Sequence, residues 1–113
     1  MSPREWRHRI EDILDAIEKI GRYTEGMDFG SFEGDSKTID AVVRNFTVIG
    51  EAARTVPHRI RERHAEIPWE EMRGMRNLII HDYAEVSPRI VWDTLRSDLP
   101  PLIPLLRGVL SGG

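Results

Sequence analysis

The sequence predicts an all-α protein, an up-down bundle of four or five helices, on three observations. Two long segments carry apolar residues at helical spacing: Ile10, Ile13, Leu14, Ile17 and Ile20 in the first, and Ile39, Val42, Val43, Phe46, Ile49, Gly50 and Ala53 in the second. No segment alternates apolar and polar residues with a period of two, and none carries a hairpin turn signal. Asp, Ser and Pro residues suited to starting or stopping helices punctuate the chain between the periodic stretches. Apolar stripes of this kind are buried most simply by packing helix on helix.

Taken in order, a first amphipathic helix is expected over about residues 4–22, with Gly21 helping to end it. Residues 24–35 hold Gly26, Gly30 and Gly34 and read as a loop that tucks Phe29 and Phe32 against the core. Asp35 or Ser36 offers an N-cap for the second helix, which should stop before Pro57. A short charged helix over His58–His64 follows. Ile67-Pro68-Trp69 then restarts the chain with Pro at a first-turn position. Ser87-Pro88 is a further cap and first-turn signal, with Ile90, Val91, Thr94 and Leu95 supplying the buried face. Pro100, Pro101 and Pro104 push the regular part of the last helix late, and Ser111-Gly112-Gly113 should fray.

A chain of 113 residues with 40% hydrophobic and 31% charged residues has the composition of one soluble domain, too short for two. The absence of cysteine excludes disulfides, thiolate nucleophiles and Cys-based zinc sites. No signal-peptide core or membrane-length apolar run occurs, so a cytoplasmic location without membrane contact is expected. The net charge of −3 argues against indiscriminate nucleic-acid binding, but the charge is uneven. Residues 1–53 carry a net −4, residues 54–76 a net +2 and residues 77–113 a net −1.

The basic balance thus lies in the segment that enters Arg76-Asn77-Leu78-Ile79-Ile80-His81-Asp82-Tyr83, the stretch richest in usable chemistry. A guanidinium can neutralise a phosphorane, an imidazole can move a proton near neutral pH, and a phenol can donate or accept a hydrogen bond. On an ideal helix with Met72 at zero, Arg76 falls at about 40° and Tyr83 at about 20°, on the apolar stripe, whereas His81 falls near 180°. An arginine on a core-facing stripe must find a partner, because an unpaired buried guanidinium is too costly to keep. Arg76 and His81 do not converge on one straight helix. Either the helix unwinds near His81, or a second subunit completes the site. Cleavage of RNA by its own 2′-hydroxyl needs a base, an acid and positive charge at the phosphorane. A symmetric dimer would supply two histidines and two arginines, with no metal or other cofactor required. The plainer reading makes Arg76 and His81 surface or capping groups and Tyr83 a half-buried aromatic.

Arg-Asn-x-x-x-His-x-Tyr at 76–83, preceded by Ile67-Pro68-Trp69 and Gly74-Met75, resembles the HepT-like ribonuclease toxins of the HEPN superfamily. Arg44-Asn45-Phe46-Thr47-Val48-Ile49-Gly50-Glu51-Ala52-Ala53 resembles that family's second-helix signature, and Asp98-Leu99-Pro100 its late turn. The resemblance spans about Ile10 to Leu110. It implies one helical domain over 1–113 that forms a homodimer and acts as a metal-independent endoribonuclease toxin on RNA, tRNA or mRNA. It implies that Arg76 and His81 are catalytic and that Asn77 supports them. It implies as partner a nucleotidyltransferase antitoxin, as in the HepT/MntA pair, that transfers AMP to the motif tyrosine, here Tyr83. AMP there would set bulk and negative charge where RNA phosphate must sit.

Two other groups bear on function. Arg44 and Glu51 share a face of the second helix, which is either a solvated polar face or a second seam where Glu51 pairs Arg76 or orients His81. His58, Arg59, Arg61, Arg63 and His64 form a basic run that Arg54 and Arg73 could extend. Such runs are usually solvated, but Arg54, Arg59, Arg63 and Arg73 are the candidates for positioning an RNA backbone. No metal-ligand spacing and no Gly-rich phosphate loop occurs. Trp6, Trp69 and Trp92 are expected in the core or at a dimer interface. The competing functional readings are a non-catalytic helical module that binds a nucleotidyltransferase, and a dimerisation domain without chemistry.

Overall fold

The computed structural model describes residues 2–80 and 87–112, without the side chains of 77–80. All the regular structure in these residues is helical: α1 (Pro3–Tyr23), α2 (Phe29–Glu33), α3 (Ser36–Thr55), α4 (His58–Arg63), α5 (Trp69–Ile80), α6 (Pro88–Asp93) and α7 (Leu102–Gly112), with a π-helical turn at Thr94–Asp98. Among the described residues, seven α-helices stand where four or five were expected. The element without an expected counterpart is α2, and five residues are too few to impose a periodicity that can be read in sequence.

Local chemistry sets the boundaries. Ser2 caps α1 by accepting from the Glu5 N–H, and Pro3 occupies the first helical position. Gly21 does not end α1, which runs on to Tyr23. Thr24 ends it instead, its backbone N–H and its hydroxyl both donating to the Ile20 carbonyl at 3.1 and 2.8 Å. Gly26 then turns the chain at φ 76°, a conformation that costs glycine little. The expected loop at 24–35 contains α2, begun by Asp28 and Ser31. The Ser31 N–H donates to Asp28 Oδ1 (2.8 Å) and the Asp28 N–H donates to Ser31 Oγ (3.1 Å). This helix delivers Phe32 to full burial against Trp92, with ring centroids 5.0 Å apart, and leaves Phe29 partly buried beside it.

Asp35 is the N-cap of α3. One carboxylate oxygen accepts the Thr38 N–H at 3.0 Å and the other the Thr38 hydroxyl at 2.8 Å. Those bonds, the backbone one first, hold the Asp35 carboxyl below its ordinary value. A lowered folded-state value means stability that is present above the unfolded-state pKa and lost as pH falls through the folded one. Asp35→Ala should therefore melt below the wild type at pH 7, and the gap should close towards pH 2. Thermal melts of both proteins across that range test this, and a gap that stays constant would show that the carboxylate charge is irrelevant to the cap.

Further along, α4 ends before His64, and Pro68 stands one position before α5 rather than in its first turn. There its carbonyl accepts the Met72 N–H at 3.1 Å. Ser87 and Pro88 start α6 as expected. Ile90 is not part of the buried face: it is exposed, while Val91 and Leu95 are buried, because α6 meets α2 and α3 along a narrower strip. At the end of the chain, Ser111 and Gly112 are still helical.

The centre of the molecule is α3, against which α1 and α5 pack on different flanks. Leu102, Leu106 and Val109 of α7 join the core beside α1, and Arg7 Nη2 donates to the Leu110 carbonyl at 2.6 Å. That carbonyl lies in the last turn of α7, where no helical N–H remains to meet it. The buried side chains form one continuous cluster, and it takes in Trp6, Trp69 and Trp92 within the single chain. Among the described residues, no helix is long and apolar enough to cross a membrane.

Candidate active site at the seam of α3 and α5

The two helices come closest at Gly50. A Cβ added there would lie 2.9 Å from both the Cβ and the backbone N of Arg76, and 3.3 Å from the Met72 carbonyl oxygen. Only a residue without a side chain permits this approach. The crossing resolves the problem that Arg76 posed on the apolar stripe. Its stem lies over Gly50 in the seam, and its head emerges at the edge, where Nε lies 2.5 Å from Glu51 Oε1.

This contact is an ion pair rather than a well-formed hydrogen bond. Arg76 Nε is buried and has no acceptor aligned with its N–H, although the carboxylate oxygen is close. The second oxygen of Glu51 accepts from Arg54 Nη2 at 3.4 Å, so one carboxylate bridges two guanidinium groups. Arg76 and Glu51 keep 36% and 39% of their side-chain surface in solvent. At that exposure an ion pair adds about 0–1 kcal/mol to stability, so its effect is to aim the guanidinium rather than to hold the fold. No other ion pair engages Arg76 among the described residues, which leaves its two Nη groups for an anion.

The polar pair of the second helix therefore divides. Glu51 belongs to the seam with Arg76. Arg44 is exposed, and lies in a groove between α1 and α3 with Asp15, Lys19 and Tyr23. Asn77 is within α5, but its side chain, like the whole of His81 and Tyr83, lies outside the described residues. The convergence of His81 with Arg76, and the setting of Tyr83, are in that same position.

Arg54, Arg59 and Arg63 are exposed and Arg73 is half-buried. Arg73 pairs with Glu70 at 2.9 Å, and His58 with Glu62 at 2.9 Å. These are exposed contacts one helical turn apart, worth little individually, and a phosphate would compete with Glu70 for Arg73. Among the described residues, no three His, Asp or Glu side chains come together so as to hold a metal ion.

The sequence reading missed Gly50 as a contact point. A glycine in an apolar helical arc looks like any small core residue until the crossing partner is known. The available signal was its place directly before Glu51, a charged residue on the same helix turn.

The sequence is similar to known proteins over nearly its whole length. It is 41% identical to a protein named probable ribonuclease HepT from Thermococcus cleftensis, across 88% of this chain and 90% of that one. It is 36% identical to a candidate RNase of Caldanaerobacter subterraneus subsp. tengcongensis, across 93% and 94% of the two chains. A candidate RNase of Methanocaldococcus jannaschii is 31% identical across 90% and 94%. No solved structure matches the chain. The profile described as ribonuclease HepT-like matches residues 13–109, a span that contains the α3–α5 crossing, Arg76 and Glu51. The chain belongs to the ribonuclease HepT-like family.

Proposed function

We propose that this protein is the ribonuclease toxin of a toxin–antitoxin pair and cleaves RNA at a site built on Arg76 and His81. The observation that carries this reading is the presentation of Arg76. Its stem is fixed in the α3–α5 seam, its Nε is held against Glu51, and its Nη groups face no partner among the described residues. A guanidinium fixed in this way suits a phosphodiester, whose negative charge grows as the phosphorane forms.

In this reaction the ribose 2′-hydroxyl loses its proton to a base and attacks the adjacent phosphorus. An acid then protonates the departing 5′-oxygen. His81, five residues after Arg76, takes one of these roles. In a homodimer with two motifs facing one another, the partner's copy of the motif takes the other, and no metal ion is required. Asn77 supports the arginine, and Arg54, Arg59, Arg63 and Arg73 position the strand through its phosphates. Tyr83, two residues beyond His81, is the acceptor for AMP from a nucleotidyltransferase antitoxin. The added phosphate would repel RNA phosphate from the same place.

The test is cleavage of total cellular RNA by the purified protein in EDTA, alongside His81→Ala. Wild type should cleave, and the variant should lose at least about a hundredfold, the usual range for removing a general acid or base. Equal cleavage by both proteins would place the activity elsewhere. A folded, unmodified wild type that leaves RNA intact would favour a module that only binds its nucleotidyltransferase partner.

A further inference from the structure

Beyond the Arg76–Glu51 seam, two adjoining concavities lie between α1 and α3, and the one further from the seam is the more polar. One part, of about 360 Å³, is lined by Arg9, Thr47, Glu51 and Thr55. The next, of about 210 Å³, is lined by Asp15, Lys19, Tyr23, Arg44 and Asn45. Asp12 and Val48 border both parts, which places the second next to the one that Glu51 lines, towards the end of α1. Arg44 and Glu51 are seven residues apart on α3, about 10 Å along its axis.

Three features of the far part suit a nucleotide. Tyr23 keeps 44% of its surface in solvent and, with Ile90, is one of two large exposed hydrophobic side chains among the described residues. Lys19 lies one turn before it on α1, and Arg44 faces the same groove from α3. Asn45 is buried at 7% exposure, and its Nδ2 donates to the Ala41 carbonyl at 2.9 Å, which leaves Oδ1 as an acceptor. An aromatic face beside cations is how proteins hold single-stranded nucleic acid without reading its sequence closely.

We infer that this part of the groove binds a nucleotide of the RNA strand beyond the two that flank the cleaved phosphodiester, its base stacked on Tyr23 and its phosphate between Lys19 and Arg44. The inference rests on the ribonuclease reading, which puts the reacting phosphodiester at Arg76. Asp12, which pairs with Arg9 at 3.4 Å, and Asp15 bring negative charge to the same walls and can accept from ribose hydroxyls. Stacking, rather than net charge, therefore supplies most of the discrimination, and Tyr23 is the residue to test.

A 2′-O-methyl oligonucleotide has no attacking hydroxyl, so it reports binding without cleavage. Wild type should bind a 2′-O-methyl tetranucleotide about tenfold more tightly than the dinucleotide, the gain expected for one stacked base. Tyr23→Ala should lose that gain and leave dinucleotide binding unchanged. Tyr23→Phe should keep it, and Arg44→Gln should weaken the tetranucleotide alone. The subsite is overturned if Tyr23→Ala binds the tetranucleotide as wild type does, or if the variant changes the oligomeric state and not the binding, as a second copy seated in the groove would require. RNA left uncut by a wild type that still shows the Tyr23-dependent gain would remove the ribonuclease reading and keep the subsite. RNA cut normally with no such gain would remove the subsite alone.

Discussion

Arg76→Ala should lower RNA cleavage about a thousandfold, the upper range for removing one preorganised donor to a developing charge. Its fold should remain. The side chain is more than a third exposed, and the ion pair it loses is worth about 0–1 kcal/mol, a shift of a few degrees in melting temperature for a domain this size. Arg76→Lys should recover only part of the activity, because an ammonium keeps the charge but not the planar fork that meets two phosphate oxygens. Glu51→Gln separates aiming from charge. It leaves the guanidinium in place and removes the carboxylate against Nε, so kcat should fall on the order of ten- to a hundredfold, with KM changed much less. Steady-state kinetics on a defined oligonucleotide, with circular dichroism on each variant, decide the matter. Equal loss of helical signal and activity in Arg76→Ala would mean that the residue carries the fold instead.

Gly50→Ala should be the most damaging of the Gly→Ala changes among the described residues. The new Cβ would meet the Cβ and backbone N of Arg76 at 2.9 Å, where ordinary contacts begin near 3.4 Å. Neither of these atoms is the far end of a flexible side chain, so α5 itself has to move. Overpacking of this kind costs about 1–3 kcal/mol and should lower the melting temperature by on the order of 5–15 °C. The shift also moves the stem of Arg76, so cleavage should fall more than stability alone explains. Gly74→Ala is the control. A Cβ there meets nothing within 4 Å, and replacing a helical glycine by alanine should stabilise by about 0.5–1 kcal/mol. Opposite signs for two Gly→Ala changes in one protein would locate the effect in the crossing. The same sign for both would refute it.

Helix boundaries were legible where local capping or proline sets them, because that chemistry needs no partner, but not at Gly21, which α1 runs past, or at Ser111-Gly112, which stay helical. Asp35, Ser87-Pro88 and Pro57 each mark a boundary that the structure keeps. The apolar stripes of α1 and α3 were legible for the same reason: periodicity needs no knowledge of the partner. What depended on a partner was not. Glu51 and Arg44 occupy equivalent places on one polar face, and only the arrival of α5 makes the first a seam residue and leaves the second exposed. Ile90 has the residue type and spacing of a core position, yet the helix it rides on is too short and too peripheral to bury it. Of the candidate site, Arg76 was legible as an arginine in need of a partner, and the partner proved to be one of the two alternatives that the second helix offered.

The clustering of α1, α3 and α5 also bears on how the chain reaches its native state. These are the three longest helices, and they follow one another along the sequence with only α2 and α4 between them. The contacts at the centre join segments that are near neighbours in the chain, so closing the loops between them loses little conformational entropy. Short sequence separation between contacting elements is what allows fast, local assembly. The crossing of Gly50 and Arg76 belongs to this locally connected centre, whereas α7 reaches α1 from the far end of the chain. The foundation of the proposed active site is thus laid by the part of the molecule with the least distance to travel.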